Sequence, residues 1–177
     1  MKINIIMTEN DYLRFNEYYL EHSNAGKKTT RNIRILFPAI LLCILIILIA
    51  VHADLTLIII IAVMLVIFSI IWQFITPKLL KNSLKKNIQQ IKNDGKLSYS
   101  ESSTLEFTDD EIIETTDNSA LKVKYGDIIY VGITEEYIFI FFEAARAFTI
   151  PRGCINKNID LEDFLKGKIN ANKFVLA

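Results

Sequence analysis

Cysteine is nearly absent from this chain. Its two copies, Cys43 and Cys154, stand far apart and form no CxxC or other metal-ligand spacing. A disulfide framework and a clustered-thiolate metal site are therefore not expected, and a reducing compartment is the simpler reading. Histidine is equally scarce, with only His22 and His52. No GxSxG, HExxH or P-loop pattern occurs. Catalysis has no visible apparatus, so no enzymatic activity and no catalytic, cofactor-binding or metal-binding residue is expected. Charge of one sign is also lacking overall, with 20 basic and 20 acidic residues. From residue 97 onward, however, 14 acidic residues face 8 basic ones, a net of −6. Nucleic-acid binding by that part is excluded, because a basic footprint is its first requirement.

Charge is missing entirely from two apolar runs, residues 35–51 and 55–75, separated only by His52, Ala53 and Asp54. A bilayer core needs roughly 20 apolar residues of helix, with about 17 as a lower bound. The second run, 21 residues, meets this easily; the first, 17 residues, reaches it with Ile33 and some tilt or thinning. Pro38 is expected in the first helical turn, where its missing N–H costs least. The runs read as a transmembrane hairpin. The first is preceded by a polar, partly acidic segment and followed by no small-residue cleavage site, so it reads as a span and not as a signal peptide. Spans of this kind rely on small residues for tight association, and no GxxxG is present.

The basic residues gather at the flanks. Lys27, Lys28, Arg31 and Arg34 precede the first run, and Lys78, Lys81, Lys85 and Lys86 follow the second. The short loop has neither lysine nor arginine. The positive-inside rule then places both termini in the cytoplasm of a two-pass protein. Trp72, near the inner end, fits an interfacial aromatic belt.

Residues 1–34 form the first cytoplasmic segment. Alternation over Lys2, Ile3, Asn4, Ile5 and Ile6 predicts a short strand. Thr8 with Asp11 resembles a capping box, which starts a helix running from about Glu9 to His22 and ending at Ser23-Asn24-Ala25-Gly26. After the hairpin, Thr76-Pro77 predicts a new basic amphipathic helix over 76–95, with Gly95 as its stop. Its stripe of Leu80, Leu84, Ile88 and Ile91 suits packing, and its lysines suit anionic headgroups.

Residues 97–177 read as a β domain. Leu105 and Phe107, Ile112 and Ile113, Leu121 to Tyr125, Ile128 to Ile133, Tyr137 to Phe142, and Arg146 to Ile150 make six short strands, mostly joined by tight turns. Asp160 then caps a helix carrying Leu161, Phe164 and Leu165. The pattern predicts an α+β chain, in which an antiparallel sandwich or open barrel is closed by a C-terminal helix.

The blocks Glu111-Ile112-Ile113, Val123-Lys124-Tyr125-Gly126-Asp127-Ile128, Glu135-Glu136-Tyr137-Ile138-Phe139-Ile140-Phe141 and Ala147-Phe148-Thr149-Ile150-Pro151-Arg152 resemble the C-terminal domain of YcxB-like proteins. The order of strand, hairpin and soluble domain extends the resemblance over nearly the whole chain. The resemblance implies a small bacterial membrane protein with a cytoplasmic domain like a pleckstrin-homology fold. Tyr125 stands where the family often has tryptophan, and the family brings no established enzymatic site.

Other constellations have plain readings. His52 and Asp54 sit at the turn between the spans. Asp109, Asp110 and Glu111 lack the loop that a hard cation needs and read as a solvated turn. Arg146, Arg152, Lys122 and Lys124 read as scattered solvated charges beside acidic neighbours, and an apolar groove between an edge strand and the last helix is the better docking surface. The functional expectation is a bacterial inner-membrane protein whose hairpin anchors a non-enzymatic interaction module. Its partners are the bilayer and a cytoplasmic protein, with no cofactor and no nucleic acid. The alternative from another class is an oligomeric, transport-associated or immunity-type membrane protein regulated by its β domain.

Overall fold

The computed structural model describes residues 1–93, 100–156 and 160–176. The chain divides into two compact units, one made of Met1–Asn16 with Gln90–Ala177 and the other of Glu17–Gln89. Strand β1 (Lys2–Ile6) and helix α1 (Glu9–His22) come first, then the long helices α2 (Asn24–Ala50) and α3 (Leu55–Asn93). Strands β2 (Ser102–Phe107), β3 (Glu111–Thr115), β4 (Ala120–Lys124), β5 (Tyr130–Ile133), β6 (Tyr137–Glu143) and β7 (Arg146–Pro151) follow. Helix α4 (Leu161–Lys168) and strand β8 (Phe174–Leu176) end the chain.

The first unit is built from two four-stranded sheets, ordered β1-β2-β3-β4 and β7-β6-β5-β8. A turn of 3-10 helix at Tyr125–Asp127 carries the chain from one sheet to the other, which shortens the fourth expected strand to Tyr130–Ile133. Neither sheet closes on itself, so the fold is an open α+β arrangement. Its second sheet is mixed: β8 runs parallel to β5, with Val131 opposite Phe174. That corrects the purely antiparallel expectation. A strand returning after a helical crossover arrives in the parallel sense, and three residues at the chain's end carry too little pattern to be read. The N-terminal strand does join this unit, pairing antiparallel with β2 from Lys2 opposite Glu106 to Ile6 opposite Ser102.

One core lies between the sheets. Ile3, Ile5, Leu105, Phe107, Ile112 and Val123 meet Val131, Ile133, Ile138, Ile140, Phe148 and Ile150, with Leu161 and Leu165 of α4 added. Strand β6 is buried on both faces. Ile138 and Ile140 enter the shared core, while Tyr137, Phe139 and Phe141 form an aromatic row on the opposite face. Phe15 of α1 covers that row, with its ring 6.2 Å from Phe139 and 5.8 Å from Phe141. Tyr130 stacks on Phe141 at 4.2 Å.

Polar bonds hold α1 in this place. Thr8 N donates to Asp11 Oδ2 at 2.7 Å, and Asp11 N donates to Thr8 Oγ1 at 3.3 Å, the reciprocal capping that the sequence announces. The other carboxylate oxygen of Asp11 accepts from the Tyr137 hydroxyl at 2.7 Å, 126 positions away. Each buried partner satisfies the other.

Three hairpins share one device. Thr108, Thr116 and Thr134 each accept, at Oγ1, the N–H three residues on, from Glu111 (3.1 Å), Ser119 (3.1 Å) and Tyr137 (2.9 Å). The pairs between these partners, Asp109-Asp110, Asp117-Asn118 and Glu135-Glu136, are therefore turn tips. The local side-chain bond makes each turn independent of distant contacts.

The second unit contains most of α2 and α3. Both are long and apolar enough to cross a membrane. Two expected boundaries move. Ser23 does not end a helix before a coil; it is the single residue between α1 and α2, and its side chain caps α2 by accepting Gly26 N at 2.8 Å. Pro38 accordingly lies inside α2 and not in its first turn. Pro77 likewise starts no helix, because α3 runs through it without a break. The Thr76 hydroxyl donates to Trp72 O at 2.7 Å beside it. A proline removes one backbone bond, a cost of roughly 3 kcal/mol, which a 39-residue helix can absorb. The separate linker helix expected over 76–95 is thus the continuation of the second apolar run, and its expected stop at Gly95 lies outside the described residues.

Two outcomes are expected from this packing. Phe141→Ala leaves a void on the covered face of β6 and lowers the stability of the first unit by about 3–5 kcal/mol, read by denaturant unfolding of the detergent-solubilised chain. Alkali should act on the same unit. Burial, with Asp11 next in effect, pushes the Tyr137 hydroxyl up to about 12. Burial, with Asp109 next, pushes Tyr125 up to about 12. The folded state holds both phenols neutral, so their contribution is intact below pH ~10 and is lost as pH rises from there toward about 12. Unfolding midpoints measured across that window should fall, and Tyr137→Phe should flatten part of the fall.

Candidate functional site

A charged cleft of about 640 Å³ lies among three helical stripes of the second unit. Glu17, Leu20 and Glu21 come from the end of α1; Lys27, Thr30, Arg31 and Arg34 come from α2; Pro77, Lys78, Leu80, Lys81 and Leu84 come from α3. Spacings of three and four residues put each set on one helical face. Of the eight flanking cations expected from sequence, Lys27, Arg31, Arg34, Lys78 and Lys81 line the cleft, while Lys28, Lys85 and Lys86 are not among the lining residues.

The local fold explains this gathering. Trp72 Nε1 donates to Ile33 O at 3.2 Å, and the Trp72 ring stacks on Phe37 at 4.7 Å. These contacts set the register of α2 against α3 just beside Arg34. At the other end, the one-residue corner at Ser23 folds α2 against α1 so closely that only glycine fits at position 26. A Cβ there would stand 2.5 Å from both Leu20 Cα and Tyr19 O.

Five cations face two carboxylates in the lining. Lys81 Nζ lies 2.8 Å from Glu17 Oε1. Arg34 keeps a buried Nε with no hydrogen-bond acceptor, an arrangement that costs about 1–3 kcal/mol when left unmet. Lys27 stands in the first turn of α2, where no acidic residue accompanies it, and Glu21 stands in the last turn of α1. Both positions oppose the helix dipole by roughly 0.3–1 kcal/mol each, so helix stability does not account for them. Leu20, Leu80, Leu84 and Pro77 supply an apolar floor. The lining contains no histidine or cysteine.

A second concavity, of about 600 Å³, belongs to the first unit and is lined by residues including Ser103, Glu114, Arg146 and Thr149. Burial raises the carboxyl of Glu114 above its usual range, while a Ser103 hydrogen bond and Arg146 work against that rise.

The remaining sequence candidates take structural roles. Asp54 accepts Thr56 N at 2.7 Å and Leu57 N at 3.4 Å. Thr56 first, then Leu57, holds its carboxyl below the ordinary value; it caps α3. His52 takes the left-handed backbone conformation (φ 54°) of the turn. Lys122 pairs with Glu111 at 3.4 Å and Arg146 with Glu143 at 3.0 Å, with Arg146 also over the Phe142 ring. Arg152 pairs with Glu162 and donates from Nε to Thr134 O at 2.9 Å, tying α4 to the β5–β6 turn. Leu161 and Leu165 sit in the core, so the apolar stripe of α4 is already covered. No cluster of three metal-ligating side chains occurs among the described residues.

The first unit is thus an open pair of sheets with a capping helix, and the second carries two apolar helices flanked by cations. A family model described as YcxB-like protein matches residues 107–167, so this segment is a YcxB-like domain. The matched segment runs from the end of β2 into α4 and includes Arg152, but it contains none of the cleft residues of the second unit. Neither the curated proteins nor the solved structures provide a match.

Gly26→Ala is expected to force α1 and α2 apart at Ser23, because the colliding atoms are backbone. The cost should be about 1–3 kcal/mol or more, seen as a lowered thermal midpoint of the full chain.

Proposed function

We propose that this chain is a two-pass protein of a bacterial inner membrane, with α2 and α3 as the spans and both termini in the cytoplasm. Its first unit serves as a non-enzymatic interaction module, like a pleckstrin-homology domain in kind, that brings a protein partner to the membrane surface. The observation that carries this reading is the exposure of large apolar side chains along both long helices. Leu36 is 62% exposed, Ile47 60%, Ile60 56% and Phe74 74%. A continuous surface of that kind is stable against lipid and not against water. The orientation is supported by the eight cations at the open ends and none in the loop at 52–54. The recruiting role is supported by polar turn tips and paired surface charges on a compact acidic unit, which leave faces for a partner.

Orientation is tested by thiol labelling in intact cells. An impermeant maleimide should label His52→Cys in a chain lacking Cys43 and Cys154; in a second chain that lacks only Cys43, it should leave Cys154 unlabelled until the cells are opened. The reverse pattern overturns the topology. Recruitment is tested by crosslinking in cells with mass spectrometry, against a chain ending at Asn93. Proteins recovered specifically with the full chain support the module; equal recovery from both removes it.

A further inference from the structure

We infer that the cleft of the second unit is a binding site for a phosphate group. Its five cations outnumber its two carboxylates, so neutralising Glu17 and Glu21 does not use them up. The two arginines are the side chains whose planar forks match phosphate oxygens. Arg34 contributes a buried Nε still lacking an acceptor, which an anion in the cleft supplies. The charges of Lys27 and Glu21 oppose their own helices, and an anion bound nearby turns Lys27 into a favourable contact. The floor of Leu20, Pro77, Leu80 and Leu84 suits a phosphate attached to an apolar body. The ligand chemistry is therefore a phosphodiester or phosphomonoester, carried by an anionic phospholipid or by a free anion. Only the lipid source rests on the membrane reading given above.

The test uses the purified full chain in nanodiscs of phosphatidylcholine with or without phosphatidylglycerol, with retained lipid counted by native mass spectrometry. A parallel arm titrates inorganic phosphate in neutral detergent. The expected result is preferential retention of phosphatidylglycerol, falling by roughly tenfold or more in the double variant Arg31→Gln with Arg34→Gln, as expected on losing two cations beside a headgroup. Lys85→Gln with Lys86→Gln, which removes two cations outside the lining, should leave the preference intact. Lys78→Gln, at an exposed position, repeats the test should the arginine variant fold poorly. Binding of inorganic phosphate without lipid preference upholds the site and assigns it to a free anion. Equal losses in the cleft and off-cleft variants, or binding in neither arm, overturn the inference. A chain that fails to enter nanodiscs but binds phosphate in detergent contradicts the membrane reading alone.

Discussion

Strand β6 imposes the constraint on which the first unit depends. Five consecutive residues, Tyr137 to Phe141, are all buried, so the strand needs apolar cover on both faces. One face is met by the opposing sheet. The other is met by α1, which reaches it only because β1 pairs with β2 and delivers the chain to that side. The first sixteen residues therefore complete a core whose strands lie more than a hundred positions later. The Tyr137–Asp11 hydrogen bond adds direction to what would otherwise be a merely greasy contact. Burying each large aromatic side chain there contributes about 1.5–3 kcal/mol, and the bond decides which helical face delivers it.

Charge is organised by a different rule in each unit. In the first, acidic residues stand at hairpin tips where threonine hydroxyls hold the turns, and several basic residues have a carboxylate within reach. Arg152, part of the sequence motif that marks the family resemblance, spends its guanidinium on Glu162 and Thr134. In the second, cations from two helices converge with fewer acids between them, and one guanidinium nitrogen stays unmet. Paired charge stabilises shape locally; surplus charge facing a cavity is available to a ligand.

The strands were legible because two signals coincide in them, alternation of apolar residues and a turn at each end. The threonine device recurs locally as Thr-Asp-Asp-Glu, Thr-Asp-Asn-Ser and Thr-Glu-Glu-Tyr, yet only the polar turns were read from these letters, and the hydroxyl bonds came with the fold. Helix boundaries were less legible. Ser23 followed by Asn24 and a nearby glycine resembles a helix end, yet the same serine caps the next helix. Thr76-Pro77 resembles a helix start, yet a proline costs only one bond where apolar helix continues on both sides. The aromatic row of β6 was visible as hydrophobic, but its second covering element was not, since no local pattern names a partner over a hundred residues distant.

Composition and order alone determined the apolar pair of helices, the cations that bracket them, the six central strands and the family of the β segment. Each depends on interactions within a few residues, so neighbouring letters carry the information. The tertiary structure decided that β1 belongs to the β unit, that β8 pairs parallel, and that five of eight flanking cations share one cleft. The strand placements depend on ladder pairing of β1 with β2 and of β8 with β5, and the cleft depends on helix register, set by Trp72 against Ile33 and by the tight corner at Gly26. Such contacts join residues far apart in the chain, and spacing along a sequence does not encode them.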